Sequence, residues 1–102
     1  MDNNGIHTPD VDMLFDAILS LESRDECYNF FSDALTSREI LDIAQRLKAA
    51  RMLRAGNSYT DVCAATGMST ATISRVSKAL LRGDGGYSIA LDRVFAQRKD
   101  ED

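Results

Sequence analysis

Apolar residues recur along this chain at spacings of three and four, the period of helices packed on one side, and nowhere alternate as a strand would. Val11, Leu14, Phe15, Ile18 and Leu19 form the first stripe, and Thr8-Pro9 stands before it as cap and first helical residue. That predicts a helix to about Leu21. Ser23-Arg24-Asp25-Glu26 has capping-box spacing and opens a second helix expected to bury Cys27, Phe30, Phe31 and Leu35. Thr36-Ser37-Arg38-Glu39 repeats the box before the longest stripe, Ile40, Ile43, Ala44, Leu47, Ala50 and Leu53, which Gly56 closes near Ala55. A short fourth helix starts at Ser58 and stops at Gly67, and Ser69 caps a fifth that carries Ile73, Val76 and Leu80 to Gly83. After Asp84-Gly85-Gly86, read as a loop, Ile89, Ala90, Leu91, Val94 and Phe95 mark a sixth helix, and residues 98–102 are read as fraying. The expected fold class is all-α with about six helices: a tail over 1–9, a domain over 10–98 and a charged tail over 99–102.

Composition narrows the classes without changing that picture. A length of 102 residues leaves room for one small domain and excludes an enzyme with separate cofactor and substrate domains. Scarce glycine (6) and proline (1) and 7% aromatics favour helix over sheet. No apolar run approaches a bilayer span, and Met-Asp-Asn-Asn-Gly lacks the positive start of a signal peptide, so a cytoplasmic, non-membrane protein is expected. Cys27 and Cys63 have no metal-site spacing and are read as reduced core residues, His7 is assigned no function, and neither metal nor cofactor is expected.

Charge changes the picture more. The net −4 argues at first against a nucleic-acid partner, but residues 1–35 hold eight acids and one base, residues 36–82 eight bases and three acids, and residues 83–102 three bases and five acids. A basic centre between acidic ends fits either a DNA-facing surface or a solvated helix face.

Residues 59–78 sharpen the choice, because they have helix-turn-helix spacing. With Tyr59 as position one, the fourth is apolar (Val62), the fifth small (Cys63), the ninth glycine (Gly67), and the tenth, fifteenth and eighteenth apolar (Met68, Ile73, Val76). The small residue lets two helices cross closely, glycine supplies positive φ in the turn, and the apolar residues fill the angle. Thr66, at the normally apolar eighth position, is the misfit. The unit is expected over about 59–82, its second helix offering Ser69, Thr70, Ala71, Thr72, Ser74, Arg75 and Lys78 to the major groove. Lys48, Arg54 and the helix start at Ser58 are candidate phosphate contacts. A plain helical hairpin remains the alternative.

Several stretches then resemble the Trp repressor superfamily, specifically its YerC/YecD branch, over about residues 11–95. They are Leu35-Thr36-Ser37-Arg38-Glu39-Ile40, Ala44-Gln45-Arg46-Leu47, Ala50-Arg51-Met52-Leu53-Arg54, Ser69-Thr70-Ala71-Thr72-Ile73-Ser74-Arg75 and Ala90-Leu91-Asp92-Arg93-Val94. The resemblance implies a subunit of about six helices interlocked with a second copy in a two-fold dimer, each subunit offering one helix-turn-helix. The thin amphipathic helices 10–21 and 23–35, too slight to close a core in so short a chain, point the same way. The superfamily's corepressor site implies a tryptophan pocket of Thr36, Arg46 and Arg75. Val76, where that site has glycine, argues against free tryptophan and leaves the two arginines for salt bridges or phosphate contacts.

The expected function is therefore a sequence-specific regulator, a repressor in the first instance, binding double-stranded DNA as a homodimer. The alternative is an adaptor docking on a transcription or replication factor. No nucleophile with its base, carboxylate pair in a cleft or phosphate-binding glycine loop points to an enzyme.

Overall fold

A computed structural model describes the backbone of residues 4–101 and the side chains of residues 5–96. Among the described residues there is no strand. A short 3-10 turn, Asn4–Ile6, leads into α1 (Pro9–Leu19), α2 (Arg24–Ala34), α3 (Ser37–Arg54), α4 (Tyr59–Thr66), α5 (Thr70–Arg82) and α6 (Gly86–Glu101). No helix among the described residues is long and apolar enough to cross a membrane.

The caps explain most of these boundaries. Thr8, with extended backbone, accepts the Val11 N–H at 3.2 Å, and Pro9 follows at the first helical position. At α2 the Ser23 hydroxyl accepts the Glu26 N–H at 3.1 Å, but the Glu26 carboxylate reaches back to the Glu22 N–H at 2.8 Å, one residue beyond Ser23. The expected box is thus half made as written. At α3 the box is complete: the Thr36 N–H donates to Glu39 Oε1 at 2.9 Å and the Glu39 N–H to Thr36 Oγ1 at 3.1 Å. α6 starts earlier than expected, at Gly86, because Gly85 alone makes the turn with a φ of +83°. Its backbone continues through the expected tail to Glu101, and the side chains of 99–102 lie outside the described residues, as do positions 1–3 of the N-terminal tail.

Between Ile40 and Leu41 the chain divides into two compact units. In the first, neither α1 nor α2 has a fully buried residue. Cys27, Phe30, Phe31 and Leu35, expected in a core, are half-buried, and the two phenylalanine rings meet edge to face at 5.3 Å. Met13, Phe15, Leu19 and Tyr28 are exposed. Burial in this unit thus stops halfway, with no residue of either helix fully covered.

The second unit has a closed core of Ala49, Ala50, Val62, Ile73, Val76 and Leu91, with Met52, Leu53, Cys63, Met68, Tyr87 and Phe95 packed against it. α4 packs on α5 and α5 on α6. α3 departs from its expected stripe: Ala49 and Ala50 are buried and Leu53 half-buried, whereas Ile43 and Leu47 are exposed. Only its C-terminal half meets the core, through the small side chains that permit close approach. Both cysteines are free and half-buried.

Candidate nucleic-acid interface

α4 and α5 are joined by a three-residue turn, Gly67, Met68 and Ser69. Gly67 sits at φ 72°, ψ 8°, its N–H donating to the Cys63 carbonyl at 2.8 Å. A Cβ there would meet nothing within 4 Å, so the demand for glycine comes from the backbone alone. Val62 and Ile73 are 0% exposed and Val76 3%, filling the angle between the helices as the spacing predicts. Thr66 resolves its own misfit: its hydroxyl donates to the Val62 carbonyl at 2.6 Å and accepts the Met68 N–H at 3.2 Å. A polar side chain replaces the usual apolar one because both of its bonds are satisfied inside the turn.

With Ile73 and Val76 turned inward, α5 presents its other side. Ala71, Ser74, Arg75 and Lys78 are exposed and fall at i, i+3, i+4 and i+7, one helical face. Thr70 begins the helix, exposed, with its hydroxyl 3.9 Å from the half-buried Cys63 sulfur. The candidate hydroxyls separate here. Ser69 Oγ accepts the Thr72 N–H at 3.2 Å and lies 3.0 Å from Thr72 Oγ1, and Ser58 Oγ accepts the Asp61 N–H at 3.1 Å. Ser58, Ser69 and Thr72 therefore fix the helix starts, while Thr70 and Ser74 lie on the outer surface. Short side chains keep that surface shallow enough for a groove, and α5 aims unpaired backbone N–H groups along its axis.

The cations of residues 46–82 differ in what they touch. Lys48 Nζ donates to the Ala65 carbonyl in the last turn of α4 at 3.2 Å, complementing that helix end. Arg51 lies over the Phe95 ring, its Cζ 4.4 Å from the centroid. Arg54 Nη1 donates to the Ser88 carbonyl at 3.3 Å and pairs with Asp92 Oδ1 at 2.8 Å. Arg46, Arg75 and Lys78 are exposed and carry no ion pair among the described residues. Asp92 and Phe95 as partners escaped the sequence reading, since they stand in α6, far along the chain from the arginines they meet.

Of the tryptophan-pocket candidates, Arg46 and Arg75 belong to the second unit and Thr36 to the first. The Thr36 hydroxyl is committed to Glu39, donating to Oε1 at 3.0 Å and accepting the Glu39 N–H. The Thr36 backbone N–H, and then this hydroxyl, hold the Glu39 carboxyl below the usual carboxylate range. Val76 is a core residue of the helix crossing. Among the described residues no three His, Cys, Asp or Glu side chains group as metal ligands.

Comparison with known proteins meets the same region. The profile of the family described as Trp repressor protein matches residues 9–95. The uncharacterized protein YerC of Bacillus subtilis (strain 168) is 54% identical over 85 residues, which cover 83% of this chain and 82% of that protein. The crystal structure of a TrpR-like protein from Eubacterium eligens ATCC 27750 aligns with a TM-score of 0.87 at 48% identity, covering 90% of this chain and 95% of the other. That of a candidate Trp repressor from Staphylococcus aureus aligns with a TM-score of 0.87 at 45% identity, covering 92% and 94%.

Proposed function

The chain belongs to the Trp repressor protein family, and from that premise we propose that it is a sequence-specific DNA-binding regulator of transcription, acting as a cytoplasmic homodimer through α4 and α5. One observation carries the reading: a glycine turn at positive φ and a buried Val62-Ile73-Val76 angle leave Thr70, Ala71, Ser74, Arg75 and Lys78 exposed at the start and along one face of α5. In such a unit the second helix enters the major groove, where arginine pairs with guanine, hydroxyls contact bases or phosphates, and an alanine methyl meets thymine. Ser58, Ser69 and Thr72 support the reader by holding helix starts whose N–H groups suit phosphates. Lys48 and Arg54 add phosphate contacts, Arg54 by exchanging its present partner. Domain limits of 10–98, with a tail over 1–9 before them and a charged tail over 99–102 after them, complete the assignment.

The dimer is supported by surface that one copy leaves bare. Met13, Phe15 and Leu19 in α1, Tyr28 in α2 and Leu41 and Ile43 in α3 are all more than half exposed. A second copy would cover such faces and set two α5 helices for two half-sites. Free tryptophan is not the effector in this reading, because Val76 stands where the family's corepressor site has glycine, and its side chain is part of the core. Repression follows from occupying promoter DNA, and no catalytic step is assigned.

Selection of bound duplexes from a random library tests the reading, with light scattering on the same sample. The expected result is an enriched site with two related halves, bound by a dimer. Loss of all enrichment, with salt-insensitive capture of a polymerase or replication factor instead, would replace the regulator by the adaptor.

A further inference from the structure

We propose that Asp92 is a residue of the DNA interface that competes with phosphate for Arg54 and so lowers the protein's affinity for every duplex. The inference rests on the DNA-binding reading above, and on Arg54 as one of its phosphate contacts. Arg54 Nη1 stands 2.8 Å from Asp92 Oδ1 in an ion pair and donates to the Ser88 carbonyl at 3.3 Å, so one nitrogen of the guanidinium meets both a carboxylate and a main-chain oxygen. A carboxylate and a phosphate offer the guanidinium the same kind of charged acceptor, so the position Asp92 holds is one a phosphate oxygen would take.

Among the described residues, Arg54 is the one cation of 46–82 in an ion pair. Lys48 differs in kind, because its acceptor, the Ala65 carbonyl, is neutral and leaves the full charge available to the duplex. Exposure distinguishes a competitor from a fixed support. The Arg54 side chain is 36% exposed and that of Asp92 69%, so water and salt reach the pair and it can exchange partners. A carboxylate meant to hold an arginine rigid while it binds phosphate would be expected under cover, where two anions around one guanidinium are not both bathed in water.

The consequence follows from counterion release. A cation that neutralises a phosphate releases a condensed counterion, whereas one already paired with a carboxylate offers the duplex less net charge and keeps an acid beside the phosphates. Asp92 therefore subtracts about one phosphate contact from the salt dependence, on random and preferred sequence alike.

The test is DNA binding across a salt series for wild type, Asp92→Asn, Arg54→Ala and the double variant, on a random and on a selected duplex. Asp92→Ser provides a second neutral replacement, and circular dichroism checks that each variant is folded. Asp92→Asn and Asp92→Ser are expected to tighten binding roughly two- to fivefold at low salt and to steepen the salt slope by about 0.9. In the Arg54→Ala background the same change should do clearly less. The proposal is overturned if Asp92→Asn weakens binding, which would make the carboxylate a positioning residue. An equal gain with and without Arg54 also overturns it, since the effect would then be general charge. If neither wild type nor any variant binds duplex at any salt, the DNA-binding reading itself falls and this inference with it, an outcome already visible in the wild-type curve.

Discussion

Before Ile40 and after Leu41 the chain spends similar side chains to different effect. Val62, Ile73 and Val76 in the second unit are 0, 0 and 3% exposed, whereas Phe15 and Leu19 in the first are 51% and 81% exposed. Local design does not separate the two regions, since α1 and α2 have caps as well formed as those of α4 and α5. The difference lies in closure. α4, α5, α6 and the end of α3 bring apolar faces from several directions onto one small core, while the first unit buries no residue of α1 or α2 fully. A helix can thus be fully specified by its own sequence and still owe its stability to a surface that its own unit lacks.

The comparison is most easily broken by truncating the same kind of side chain in each unit. Ile73→Ala opens a cavity in the closed core and is expected to cost about 2–5 kcal/mol, read as a lowered denaturant midpoint at any protein concentration. Leu19→Ala should instead act through association: its effect on Tm should depend on protein concentration, and in a monomer it should stay within about 0.5 kcal/mol. Equal, concentration-independent losses would mean that the two regions are stabilised alike.

Next in size is the turn. Gly67→Val has space for its side chain but not for its φ, and should cost roughly 1–3 kcal/mol in backbone strain and weaken DNA binding as well. Gly86→Ala, at a helix start without positive φ, should be neutral or slightly stabilising. Thermal melts of the pair isolate conformation from packing.

DNA readout sharpens the comparison functionally. Arg75→Ala and Thr70→Ala should each lose about 1–3 kcal/mol on the selected site and much less on random sequence if they read bases. Lys78→Ala, at the far end of the same face, should weaken both alike if it holds phosphate. In the proposed dimer, Leu19→Ala should alter DNA binding only at concentrations below the association midpoint. An unchanged ratio between the two duplexes for Arg75→Ala and Thr70→Ala would remove α5 as the reader.

The smallest effect concerns the Thr36–Glu39 box. In the folded protein the Glu39 carboxyl is held below its usual range, in the unfolded chain it is not. Its contribution is therefore complete above the ordinary carboxylate pKa and is lost as pH falls through the depressed folded value. Melts of wild type and Glu39→Gln should differ at pH 7 and converge in acid. Thr36→Ala removes the cap itself and should cost about 1 kcal/mol.

Much of this was legible in the chain because its signals are local. Caps at Thr8, Ser23, Thr36, Ser58 and Ser69 and the turn at Gly67 each depend on residues within four positions, and all occur where the spacing places them. What escaped was non-local. Ile43 and Leu47 belong to a periodic stripe, but periodicity marks a face as apolar without saying what covers it. Charge alone makes Lys48 and Arg54 equivalent candidates for phosphate contacts. Their acceptors lie 17 and 34 residues away, one a neutral carbonyl and the other beside a carboxylate, so the two cations are not equivalent. The family resemblance supplied the outline of a tryptophan pocket, yet Thr36 and Val76 are already engaged, one in a cap and the other in a core.

The Thr66 hydroxyl bears on motion as well as on shape. It joins the Val62 carbonyl to the Met68 amide across the turn, so the amide at the hinge between α4 and α5 is tied down by a side chain instead of exchanging freely with solvent. That amide should exchange more slowly than those of the α5–α6 loop around Gly85, and Thr66→Val should release it. A hinge held in this way keeps α5 at one angle before any duplex arrives. In the DNA-binding reading proposed above, little ordering entropy is then left to lose on docking, and recognition should be paced by encounter and not by rearrangement.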